Sequence, residues 1–167
     1  VPKNMPNAEL LEKNLRKPLA KVPDPFGEYP SYAARFEKIF EKDIEQLGLA
    51  PEYIYQNTRY MAGYYTRGIQ EAYAREKEIA AILNRSRTED LPADWSCISL
   101  FCKTCDRDTT VVKELTAPTV FKYFCKACKK EDSVDFEKEG QVKLLWRVDW
   151  PMRWAREGVD FEPGGKD

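Results

Sequence analysis

FCKTCDRDTTVVKELTAPTVFKYFCKAC, residues 101–128, carries two Cys-x-x-Cys pairs with 19 residues between them. A turn of that form points two thiolates at one place, and two such turns complete a tetrahedron of soft ligands that favours Zn²⁺. Between the pairs, TTVVKEL and TVFKYF are rich in β-branched and aromatic residues and are separated by TAP, which predicts a hairpin carrying the two knuckles. The stretch therefore predicts a zinc ribbon with Cys102, Cys105, Cys125 and Cys128 as ligands, the alternative being reduced thiols or an incidental pair of disulfide bridges in a loop. Four protein ligands leave no open coordination position, so the metal is expected to be structural. Cys97 is the odd thiol and reads as a small apolar residue in a strand.

The ribbon also bears charge. Residues 102–130 hold seven Lys or Arg and three acids, a formal +4, from which a zinc held by four thiolates subtracts two. The remaining +2, around Lys122, Lys126, Lys129 and Lys130, suits a phosphate backbone, and equally suits a solvated surface.

Upstream, the first 30 residues contain six of the eleven prolines, and only AELLEKNLRK, with Asn7 as cap and Pro18 as stop, predicts a helix there. Tyr32, Phe36, Ile39, Phe40, Ile44 and Leu47 share one helical face between a Ser31 cap and Gly48. EYIYQNT alternates like a strand, and apolar residues from Met61 to Leu83 predict one long helix over about 60–85, with Gly63 and Gly68 weakening it or marking close packing. RSRTEDLPAD reads as a linker. Beyond it, CISLFC, SVDFE, KLLWRV and VDFEP read as strands, and PMRWARE as a short helix stopped by Gly158. These signals divide the chain into a lead-in with helices (1–90), a ribbon (91–140) and a return segment (141–167).

At 167 residues the chain is long enough to bury a core, and a net charge of -1 excludes a global field for nucleic acid or membrane. Apolar runs are too short for a membrane span and the first residues lack signal-peptide character, which predicts a cytoplasmic protein. There is no histidine, so the commonest general base is missing.

WRVDWPMRWAREGVDFEPGGKD, residues 146–167, together with VPKNMPN, RKPLAKVPDPFG, SYA and MAGYY in that order, resembles class I lysyl-tRNA synthetases. The resemblance covers the whole chain, with the Cys pairs where the family carries its zinc-binding module. It implies a mixed α/β fold: part of a nucleotide-binding, Rossmann-like domain with helical segments and an inserted four-cysteine zinc ribbon. It further implies structural Zn²⁺, ATP and Mg²⁺ as cofactors of the parent enzyme, and lysine, tRNA(Lys) and the remaining synthetase domains as partners.

The family's HIGH and KMSKS signatures are both absent, and PGGKD lacks P-loop spacing. The expectation is an internal piece of a longer ligase, inactive alone. The alternatives are a short paralogue that has lost catalysis, or a zinc-ribbon adaptor for RNA or protein. An ammonium on a flexible chain suits aromatic faces and a carboxylate. The resemblance puts Trp146 first among lysine-binding candidates, followed by Asp149, Trp150 and Asp167. Asp149 is also a natural N-cap for PMRWARE, and Trp150 and Trp154 also read as core residues.

Overall fold

The computed structural model describes residues 4–162; Asp167 and the last residue of VDFEP lie outside it. Ala8–Lys13 (α1) is shorter than expected. Asn7 sits at its N-terminus in a left-handed conformation, but its side chain caps nothing and instead donates to the Pro25 carbonyl oxygen at 2.6 Å. A 3-10 turn at Leu19–Lys21 leads to α2, Tyr32–Gln46. There Ser31 Oγ accepts the Ala34 N–H at 3.1 Å, and Gly48 closes the helix at φ 74°.

EYIYQNT forms no strand. Its second half opens α3, Gln56–Met61, and the expected long helix is three: α3, then α4, Thr66–Ala74, and α5, Glu76–Asn84. Gly63, at φ 68°, makes the first break, and a Cβ there would overlap the Glu137 carbonyl oxygen. The turn and the close backbone approach both require glycine. Gly63→Ala should destabilise the fold by about 2–4 kcal/mol, combining left-handed strain with overpacking, read as a lowered denaturant midpoint. Gly68 marks close packing, because a Cβ would meet Met152 at 2.5 Å.

Two small antiparallel sheets follow. Ile98–Leu100 (β1) pairs with Val142–Leu144 (β5), while Thr110–Ala117 (β2), Val120–Cys125 (β3) and Glu131–Asp135 (β4) form a three-stranded ribbon in that order. The β2–β3 register, Thr110 opposite Cys125 to Ala117 opposite Val120, leaves a tight turn at Pro118-Thr119 as TAP predicts. VDFEP is not a strand over residues 159–162. The last helix, α6, spans Trp146–Glu157, so it begins five residues before PMRWARE and contains Pro151. Its N-cap is Leu145, whose carbonyl accepts from Val148 and Asp149 at 2.8 Å each; Asp149 lies inside the helix and is not the cap.

The fold is mixed α/β, and its core runs across the segments. Alternation along β3 buries Phe121, Tyr123 and Cys125 against Val134, Phe136, Leu100, Leu144, Ile69 of α4 and Val148 of α6. Tyr73 meets Phe121 edge-on at 4.9 Å between centroids. By contrast α2 buries no residue: Phe36, Ile39 and Phe40 on its apolar face are exposed. No helix among the described residues is long and apolar enough to cross a membrane.

Candidate metal centre and the helix beside it

The two knuckles are built alike. Cys102 N–H donates to Arg107 O at 2.9 Å and Asp106 N–H to Cys102 O at 2.8 Å; Cys125 N–H donates to Lys130 O at 2.8 Å and Lys129 N–H to Cys125 O at 2.9 Å. Asp106 and Lys129, each next after its second cysteine, turn left-handed at φ 60°. These turns bring all four sulfurs within 4.8 Å of one another, with Cys102–Cys128 at 3.6 Å and Cys105–Cys125 at 3.7 Å. A tetrahedron with Zn–S bonds of about 2.3 Å needs sulfurs about 3.8 Å apart, so the donor set fits zinc in both chemistry and size.

Cys102 and Cys125 are buried, Cys105 and Cys128 half-buried. Burial pushes the Cys105 thiol up to about 12, whereas at Cys125 burial is outweighed by the N–H groups of Cys128 and Ala127 and the thiol falls to about 6. Tyr123 supports the first knuckle, accepting the Lys103 N–H at 2.9 Å with its hydroxyl 3.9 Å from Cys102 Sγ. No local pattern marks this support. Nor does one show that the same knuckle holds the N-terminal segment: Asp106 pairs with Lys21 at 2.5 Å, Asp108 with Arg16 at 2.7 Å, and Arg107 donates to the Lys13 carbonyl at 3.0 Å.

Of the four lysines expected at a phosphate backbone, Lys126, Lys129 and Lys130 stand exposed on the second knuckle. Lys122 lies on the solvent side of β3, 4.0 Å from Glu114.

The return segment presents a second cluster. Trp146 directly follows β5 and Leu145, is 54% exposed, and stacks edge-on with the 37% exposed Trp150 at 5.4 Å. Asp149, on the same helix, has other partners. It accepts a hydrogen bond from the Tyr60 hydroxyl and pairs with Arg153 at 2.8 Å. Near the other end of α6, Glu157 accepts from the Tyr65 hydroxyl at 2.5 Å and pairs with Arg59. Burial, then the neighbouring carboxylate, raises both tyrosines, Tyr65 to about 12. The i, i+4 spacing of Asp149 and Arg153 is the only linear trace of this network, since its tyrosines lie about 90 residues upstream.

Comparison with known proteins shows the family. The family model for tRNA synthetases class I (K) matches residues 1–167. The chain belongs to this family. It is 45% identical over 167 residues to a lysine-tRNA ligase of Borrelia garinii subsp. bavariensis and 39% identical over 169 residues to one of Treponema pallidum, covering all of this chain and 32% of each relative. A lysine-tRNA ligase of Pyrococcus horikoshii is 38% identical over 171 residues, again 32% of its length. The chain thus spans about a third of the curated relatives it matches.

Proposed function

We propose that this chain is the zinc-bearing part of a class I lysine-tRNA ligase, which joins lysine's carboxylate to the α-phosphate of ATP with release of pyrophosphate and then transfers the lysyl group to tRNA(Lys) with release of AMP. The single observation that carries the reading is the match of this whole chain to about a third of the length of relatives named for that reaction. Its ATP and Mg²⁺ chemistry belongs to residues supplied elsewhere in the parent, because both phosphate-handling signatures are absent here; the chain alone is inactive on this reading. Zinc held by Cys102, Cys105, Cys125 and Cys128 supplies a rigid crosslink and no Lewis-acid chemistry. The exposed apolar face of α2 suits a packing surface for the remaining synthetase domains.

The lysine end of the site is assigned to the exposed Trp146 and Trp150 rings, whose faces attract an ammonium. Asp149 backs them from inside α6, and Asp167 belongs to the same proposal from the family resemblance. Trp146→Ala in the natural full-length protein should raise the KM for lysine by about 2- to 30-fold, the worth of one cation–π interaction. An unchanged KM would remove Trp146 from the lysine site.

The ribbon's lysines are assigned to the tRNA backbone. Replacing Lys126, Lys129 and Lys130 together should weaken tRNA binding and reduce its salt dependence by about 0.7–0.9 in log–log slope for each phosphate no longer neutralised. Binding indifferent to both the substitutions and salt would make the ribbon a structural brace only.

A further inference from the structure

α6 is fastened at both ends to one short stretch of chain. Tyr60 of α3 reaches Asp149 in its first turn, and Tyr65, just before α4, reaches Glu157 in its last turn. Arg59 pairs with Glu157 as well, while the Gln56 side-chain amide lies 2.6 Å from the Tyr65 hydroxyl oxygen and anchors that end to α3. The tyrosines also pack on each other, with centroids 4.8 Å apart. Between the fastenings, Gly68 of α4 lets Met152 approach closely. Tyr65 is 1% exposed, so these bonds form where water competes poorly.

A helix held near both ends and pressed in the middle cannot rotate about its axis. Rotation is the motion that matters for the tryptophans. Trp146 lies about 60° around the helix from Asp149 and Trp150 about 40° from Trp146, at 100° per residue. A ring about 6 Å from the helix axis moves about 1 Å for a 10° rotation, and misplacement of that size can cost as much as about 10²-fold in a preorganised site. Asp149 is engaged by Tyr60 and Arg153 and stands on the side of α6 that faces α3.

Resting on the lysine assignment above, we infer that Tyr60, Asp149 and Arg153 are positioning residues that fix the rotation of α6, and through it the Trp146–Trp150 pair that receives the lysine side chain. Asp149 does not touch lysine. The network therefore acts on affinity for the amino acid while the phosphate chemistry is untouched.

The test uses the natural full-length protein with Tyr60→Phe, Asp149→Asn and Trp146→Ala, each checked for native zinc content. The readouts are lysine-dependent exchange of pyrophosphate into ATP and the circular-dichroism couplet of the Trp146–Trp150 pair. Tyr60→Phe is expected to raise the KM for lysine about tenfold with little change in kcat, and to weaken the couplet. Asp149→Asn keeps an acceptor for Tyr60 but loses the charge facing Arg153, so a smaller change of the same kind is expected. A raised KM in Asp149→Asn, with Tyr60→Phe and the couplet unchanged, would mean that Asp149 contacts lysine directly and would overturn the inference. A weakened couplet with unchanged KM would reduce the network to a structural brace and overturn it as well. If Trp146→Ala itself leaves KM unchanged, the lysine assignment fails, and that result is distinct from failure of the positioning role.

Discussion

Treating the reduced protein with a strong chelator is expected to release about one zinc per chain and unfold the ribbon. Cys102, Cys105, Cys125 and Cys128 lie within 4.8 Å of one another, so their anionic forms repel unless a cation sits between them. Structural zinc in small modules contributes roughly 10–16 kcal/mol of apparent binding free energy, comparable to or above the roughly 5–15 kcal/mol that typically holds a whole domain folded. The loss should not stop at the knuckles. Phe121 and Tyr123, on the strand that leads into Cys125, are fully buried beside Ile69 and Val148, so a melted ribbon opens the core shared with α4 and α6.

The N-terminal segment should be released too. Its ion pairs from Lys21 and Arg16 to Asp106 and Asp108 are surface contacts worth about 0–1 kcal/mol each, and they depend on the left-handed turn at Asp106 that follows Cys105. Residues 13–21 should become open to protease on chelation. Cys125→Ser should reproduce both effects. Freshly purified, reduced protein that contains no zinc and keeps a protected ribbon would contradict this account.

The second large effect concerns activity. This polypeptide by itself should show no measurable exchange of pyrophosphate into ATP. Adenylate formation depends on positioning and on donors and cations aimed at the phosphates, and losing one preorganised donor typically costs about 10²–10³ in rate. The chain contains no histidine, no lysine-rich phosphate signature and no glycine-rich phosphate loop, and the proposed function assigns those groups to the rest of the synthetase. Supplying the rest of the synthetase should restore exchange. Lysine-dependent exchange by the 167 residues alone would refute this division of labour.

Local signals are legible where local chemistry decides structure. The Ser31 cap, the Gly48 stop, the hairpin turn at Pro118 and the knuckle spacing each act within a few residues, and each is present. Tertiary competition explains the rest. Gly63 stands out in the sequence, but only the Glu137 carbonyl at its back explains why the helix breaks there. Asn7 has the side chain of a good cap, yet Pro25 claims it. The apolar stripe of α2 is real, yet among the described residues Phe36, Ile39, Phe40 and Leu47 stay exposed. At the candidate site, the four cysteines are legible because their spacing encodes their geometry. The part played by Asp149 is not, because Tyr60 lies 89 residues away and no short-range pattern joins them.

The most direct test of the central claim is amino-acid-dependent pyrophosphate exchange by the natural full-length protein, run against each of the common amino acids. Exchange that depends on lysine, and that falls when zinc is removed, is the predicted result. Exchange driven by another amino acid, or none at all from zinc-loaded protein, would contradict the assignment.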